Sequence, residues 1–440
     1  MNTAIFSQMY KNKDLRKRLI VVLAILAIYS LLAHVPVPVP DTAKLQNFLL
    51  QLFQSNPLLG FANLFTGGAL SNFSILLMGL GPFINASIII QLLSQVVPQL
   101  ETLQKEGGEA GRRKINYYTR LLTLPLALIQ SVAMITLART LSQQIAGVDL
   151  IGTPTMGQWA LMIASITGGS MLLMWLGEIV TDKGIGNGIS ILILAGIVSN
   201  LPTQIIQQVS LAQADGAKIF TFIFFILVIV VVVFFVVMLN EGQRNIPISY
   251  ARRIAGDSRY GGVDSHLPIR LITAGVIPII FALAFLSLPG FLGQLFADAK
   301  TAWVSAAANW MKTAFQPNKP VYTITYFTLV FAFTYFYTAV VFKPNEIAEN
   351  LQKQGGFITG IRPGVETSKY LKKIITRLTL FGALALGLLA VFPFVIESIF
   401  KTENSLLSIG GTGILIIVAV IIETIKQIES RALMATYEKY

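Results

Sequence analysis

The 440-residue sequence has no cysteine, only two histidines and little charge: 12% of its residues are Asp, Glu, Lys or Arg, against about 25% in an ordinary soluble domain. Without cysteine a disulfide-built scaffold is excluded, and cysteine usage says nothing about compartment. Scarce charge, with 54% apolar residues and a mean hydropathy of +0.69, excludes a disordered chain, and it excludes a soluble nucleic-acid binder despite a pI near 9.7. There is no Walker loop, zinc-ligand spacing, His-Glu pair or nucleophile elbow. His34 ends an apolar run and His266 sits in a loop; both read as ordinary polar positions. The GIGNGIS stretch at 184–190 follows no strand, so it reads as a flexible entry to a helix rather than a phosphate loop. Nothing remains on which to hang enzyme chemistry.

What the sequence does have is apolar runs. Ten of them, near 19–35, 74–97, 117–138, 157–177, 185–202, 218–239, 271–289, 322–342, 376–396 and 406–424, are long enough to cross a bilayer core, which takes about 20 helical residues. The basic stretch Lys11, Lys13, Arg16, Lys17 and Arg18 precedes the first run. No small-residue cleavage site follows it, so this run is expected to be a span and not a signal peptide. Between the first two runs, FANLFTGGALSNF (61–73) is apolar but short and rich in Gly and Asn. It reads as a re-entrant segment, tolerated at membrane depth when protein or water surrounds it.

With the N-terminus inside, 26 of the 33 Lys and Arg fall in inside segments, a strong positive-inside bias that places both termini in the cytoplasm. Ten spans divide at the outside connection near 203–217 into five and five, of opposite orientation: residues 1–205 and 206–440. Such halves often form inverted repeats around a central pathway. No span carries an ionisable residue near its centre, which speaks against a proton- or ion-coupled carrier and for a passive conduit.

Intramembrane polarity gathers in the second run, GLGPFINASIIIQLLSQ, with Asn85, Gln91 and Gln95. These amides read equally as packing glue between helices or as the lining of a wet gate. Leu80, Ile84 and Ile88 share one helical face, as do Ile189 and Ile193. Two large inside loops stand out. In Glu241 to Pro268, alternation around Ile246, Ile248 and Tyr250 before Gly261-Gly262 predicts a projecting hairpin. In Phe342 to Arg377, a short helix leads to Gly355-Gly356 and to Arg362, held before Pro363-Gly364. Structured, glycine-punctuated loops with a placed arginine look like docking surfaces for a cytoplasmic partner.

NLFTGGAL, then GLGPFINASIIIQLL, WLGEIVTDKGIGNGIS, HLP with AGVIPIIFA, and KPNEIAENLQKQGGFITGIRPG with TRLTLFGA occur in the order in which they resemble the SecY family, the channel subunits of bacterial protein-conducting translocons. The resemblance runs through nearly the whole chain. It implies an all-α integral membrane protein of ten transmembrane helices, two pseudo-symmetric inverted five-helix halves and a re-entrant plug helix carrying Phe61, Asn63, Phe65, Gly67 and Gly68. It implies a pore ring of Leu80, Ile84, Ile189, Ile193, Ile280 and Ile416. Branched aliphatics of this kind close on themselves and yield to a passing chain of any sequence. A lateral gate would involve Asn85, Ile88, Gln91 and Ile272, the last standing where the family often has asparagine.

Arg244, Arg252, Arg253, Arg362, Pro363 and Gly364 would dock the SecA motor ATPase and the ribosome, with Thr359 and Asp257 departing from the family pattern. Expected partners are SecE and SecG, signal sequences, nascent chains and lipids, in a multi-pass protein of the cytoplasmic membrane that works singly or as a dimer. No cofactor or metal is expected. A solute carrier or an insertase of the YidC type are the rival classes; the first needs a mid-span coupling carboxylate, the second fewer spans and a charged groove.

Overall fold

The structure is a computed structural model that describes residues 12–39, 44–49, 63, 66–105, 108–146, 151–152, 154–214, 216–250, 253–255, 258–260, 264–273, 275–296, 299–316, 319–400 and 406–437. Its body is helical. In chain order the long helices are α1 (Lys13–Leu32), α2 (Gly81–Val96), α3 (Pro98–Lys105), α4 (Gly108–Ala146), α5 (Met156–Lys183), α6 (Gly188–Ala214) and α7 (Gly216–Glu241) in the first part. After the first large loop come α8 (Ile277–Leu295), α9 (Ala302–Ala314), α10 (Pro320–Val341), α11 (Pro344–Lys353), α12 (Val365–Phe400) and α13 (Leu406–Tyr437). Each of the ten apolar runs overlies one of these helices. Among the described residues, Gly108–Thr140, Met156–Lys183, Pro320–Lys353 and Val365–Ile396 are long and apolar enough to cross a membrane by themselves.

Local chemistry sets the boundaries. Thr155 caps α5 with a reciprocal pair: its hydroxyl accepts from the Gln158 amide at 3.4 Å while the Gln158 side chain accepts from the Thr155 amide at 2.9 Å. At the end of α2, Val97 precedes Pro98 and is extended, with ψ 112°, as a residue before proline prefers. The axis therefore turns by 103° into α3.

Three buried apolar clusters hold the fold. The largest runs from Val22, Ile25 and Tyr29 of α1 through α2, α5 and α6 to α8, α10, α12 and α13. A second gathers Val37, Val39, Leu70, Phe73 and Leu77 against α4 and α5. The third lies beneath the two large loops, around Ile246, Ile248, Ile269, Ile358 and Leu371.

That third cluster changes the expected fold class. The loops are stranded, so the chain is not all-α. The first loop forms β1 (Gln243–Tyr250), β2 (Arg253–Ala255), β3 (Ser258–Tyr260) and β4 (Asp264–Arg270); the second adds β5 (Gly356–Ile358). β1 pairs antiparallel with β4 as the hairpin pattern predicts, and on its other edge with β5, giving a three-stranded sheet of order β4-β1-β5. The two loops are thus one unit. Ile246, Ile248 and Ile358 point to one face, because alternate strand residues share a face. That apolar face is what the sheet buries over α11 and α12.

The expected re-entrant helix also takes a different form where it is described. Asn63 is helical, but 66–73 is a run of turns. Two successive glycines in the left-handed region, Gly67 at φ 66° and Gly68 at φ 81°, break helical geometry. Side chains then replace the missing backbone bonds: Asn63 Oδ1 accepts from the Ser71 amide at 2.8 Å and Thr66 Oγ1 from the Leu70 amide at 3.3 Å. Phe61 and Phe65 lie outside the described residues.

Candidate functional site

The six aliphatics of the expected ring all belong to, or pack against, the largest apolar cluster. Leu80, Ile193, Ile280 and Ile416 are buried members of the largest cluster, and Ile84 and Ile189 pack against it half-buried. They come from the start of α2, from α6, from α8 and from α13, so both halves of the chain contribute. These six side chains, the proposed waist, are all aliphatic and have no directional bonds to enforce one geometry.

The turn segment of 66–73 is seated next to it. Gly67 lies so close to α1 and α6 that a Cβ there would collide with the Tyr29 hydroxyl and stand 3.1 Å from Gly196 Cα. A Cβ on Gly68 would meet Asn200 Oδ1 at 3.3 Å. Further along, Asn72 Nδ2 donates to the Ala33 carbonyl at 3.4 Å and Val37 donates its amide to Phe73 O at 2.9 Å. Tyr29, Gly196 and Asn200 were not legible as site residues. Tyr29 sits inside an apolar run, and only the fold brings it to Gly67.

Of the expected gate residues, Ile88 and Ile272 are buried in the same cluster, while Asn85 and Gln91 are half-buried on α2. α2 packs directly against α8. Gln91 donates from Nε2 to Ser87 Oγ at 3.1 Å, and its Oε1 is buried without a hydrogen-bond partner. An unsatisfied buried oxygen costs about 1–3 kcal/mol, so Gln91 is held on α2 at some cost in stability.

In the second large loop Arg362 and Pro363 are exposed and Gly364 is half-buried, with φ 96°. The Arg362 carbonyl accepts from Thr367 Oγ1 at 3.0 Å, which locks the arginine at the mouth of α12. Around it Gly360, Ile361, Glu366, Lys369, Tyr370 and Lys373 line an open pocket. Lys369 engages Glu366 at 2.8 Å, so Arg362 and Lys373 leave the pocket positive. Nearby on α11, Lys353 hydrogen-bonds Glu349 and holds its carboxyl below the usual range. Arg244 is exposed on β1, opposite Ile269. Arg253 opens β2, paired with Tyr260, and Arg252 and Asp257 lie outside the described residues. The structure therefore puts Arg244 and Arg362 on one sheet-bearing unit. No group of three or more His, Cys, Asp or Glu that could hold a metal occurs among the described residues.

The fold matches a solved structure described as that of a protein conducting channel, with a TM-score of 0.65 and 19% identity over 94% of this chain and 92% of that one. It also matches Sec61 in the canine ribosome-channel complex from the endoplasmic reticulum, with a TM-score of 0.64 and 18% identity over 94% and 92%. The class is that of a multi-pass, protein-conducting membrane channel. In sequence the chain is 38% identical to the protein translocase subunit SecY of Streptomyces galbus over 99% of both chains. It is 39% identical to that of Escherichia coli strain K12 over 97% of this chain and 93% of that one. The SecY family model matches residues 74–425. The chain belongs to the SecY family, whose members are channels of the cell membrane and not enzymes.

Proposed function

We propose that this chain forms the pathway by which unfolded secretory polypeptides cross the cytoplasmic membrane and by which hydrophobic segments leave sideways into the bilayer. Its ten spans cross with both termini in the cytoplasm, and residues 1–205 and 206–440 clasp the pore. Leu80, Ile84, Ile189, Ile193, Ile280 and Ile416 make a seal that excludes water and ions when idle and deforms around a passing chain. The segment holding Asn63, Gly67 and Gly68 plugs it from outside. The contact of α2 with α8, through Asn85, Ile88, Gln91 and Ile272, is the lateral gate. Hydrophobic segments partition through it by tenths of a kcal/mol per apolar residue at the bilayer centre.

Energy comes from elsewhere. Arg362, Pro363, Gly364, Arg244, Arg252 and Arg253 receive the SecA motor and the ribosome; solved relatives of this fold include ribosome-bound channels. Basic side chains suit acidic groups of a motor or the phosphates of ribosomal RNA. SecE and SecG complete the assembly.

The observation that supports this reading is that six aliphatics from both halves belong to, or pack against, one apolar cluster. Because the chain has no cysteine, a single cysteine at Ile84 or Ile193 is unique. Crosslinking from either position to a stalled secretory chain is expected. Crosslinks only from a lipid-facing control, Ile223→Cys, would remove the waist from the pathway. Ile84→Ser combined with Ile280→Ser is expected to raise the ion conductance of the idle channel; an unchanged conductance would take these residues out of the seal.

A further inference from the structure

α9 has a face left exposed among the described residues. Its inward residues, Val304, Ser305, Ala308, Met311 and Lys312, are buried or half-buried, and the helix folds back on the last turns of α8. The approach is backbone to backbone: a Cβ on Gly293 of α8 would stand 2.7 Å from Lys312 N and 2.8 Å from Ala308 O. The opposite stripe is Trp303, Ala306, Ala307 and Trp310, spaced at three and four residues and so on one helical face. The two tryptophans are 74% and 60% exposed, although tryptophan is the side chain with most to gain from leaving water. They are two of only four in the chain.

The surroundings say what covers this stripe. α8, to which α9 is fastened, exposes Phe285, Leu292 and Phe296, the kind of apolar surface that faces acyl chains. The stripe belongs to a helix packed on the last turns of that same α8. Lys300 precedes α9 and Lys312 lies in its last turn, at positions where ammonium groups meet lipid phosphates while their stems stay apolar. An indole with an apolar body and one N–H donor matches the headgroup layer better than water or hydrocarbon. A short helix with an apolar stripe and flanking lysines lies in the interface plane rather than across the membrane.

Resting on the topology proposed above, we infer that α9 is an interfacial helix whose Trp303 and Trp310 insert into the outer leaflet of the bilayer and anchor the outer end of α8, a wall of the lateral gate, to that leaflet. The depth of α8 is then set partly by lipid and not by protein contacts alone.

A nitroxide at Ala306→Cys, in the full chain with its translocon partners in vesicles of phosphatidylethanolamine and phosphatidylglycerol, tests this. Collision with oxygen is expected to exceed collision with a water-soluble nickel chelate. Trp303→Ser with Trp310→Ser should move that ratio several-fold toward water, while Trp175→Ser on α5 leaves it unchanged. A label open to the nickel chelate in the parent chain overturns the inference, and so does a label shielded from both reagents, which would mean a protein partner covers the stripe. Transport of a secretory precursor into the same vesicles reports separately on the channel. Transport with a water-facing label defeats only the anchor, whereas a lipid-facing label without transport defeats only the channel reading.

Discussion

The proposed waist and the loop sheet are both built on buried isoleucines, and they are held in opposite ways. Ile193 in the waist and Ile248 in the sheet are each 3% exposed. Ile193 belongs to an apolar cluster drawn from several helices, and an aliphatic side chain has no hydrogen bond with which to fix a register. Around Ile248 two backbones are paired residue by residue, with Ser265 on one side and Ile358 on the other. Equal burial therefore serves two ends. A seal that must part for any sequence needs cohesion without geometry, whereas a platform for a specific partner needs geometry, which a strand ladder supplies.

Four tests break or sharpen this contrast. The largest effect belongs to Ile248→Ala, which removes a buried side chain from a paired site and costs about 2–5 kcal/mol. Faster hydrogen exchange across β1 and β5 would report it, while Ile193→Leu, which conserves volume, is expected to leave transport close to normal. Next is Gly67→Ala. A residue in the left-handed region pays about 1–2 kcal/mol, and the new methyl also strikes Tyr29. Gly68→Ala pays the same backbone cost but meets only the end of Asn200. Idle ion leak should therefore be larger for Gly67→Ala than for Gly68→Ala, and adding Tyr29→Ala should reduce it; equal leaks would show that backbone strain alone matters.

Arg362→Glu comes third, with motor-driven translocation falling at least tenfold, a change equivalent to about 1.4 kcal/mol. Preserved motor-driven transport in vesicles would detach the sheet unit from coupling. The smallest is Thr155→Ala, which removes the cap of α5 at a cost of about 1 kcal/mol, visible as a lower melting temperature with transport retained.

The sequence made the helices plain because apolar runs of this length have few alternatives, and the alternation at Ile246, Ile248 and Tyr250 announced β1. Ring, plug and docking positions were readable only through long motifs shared with a family. What stayed hidden is tertiary. β5 has three residues, too few for a period to show, and its pairing with β1 joins loops about a hundred residues apart. The seat of Gly67 needs Tyr29 from another helix, which no spacing encodes. The Trp303 and Trp310 stripe has helical spacing in plain view, but its meaning depends on which face α8 takes, and that only the fold settles.

The sheet also has a mechanical side. Seven register pairs join β1 to β4, and only three join β1 to β5. At the base, the Leu271 amide donates to Gly242 O at 2.8 Å, a clasp just before α8. A pull on the Arg362 loop is therefore carried strand by strand toward the foot of α8, and the joint that yields first is the short one. The Arg362 loop can come away under load while the hairpin stays whole, ready to receive it again.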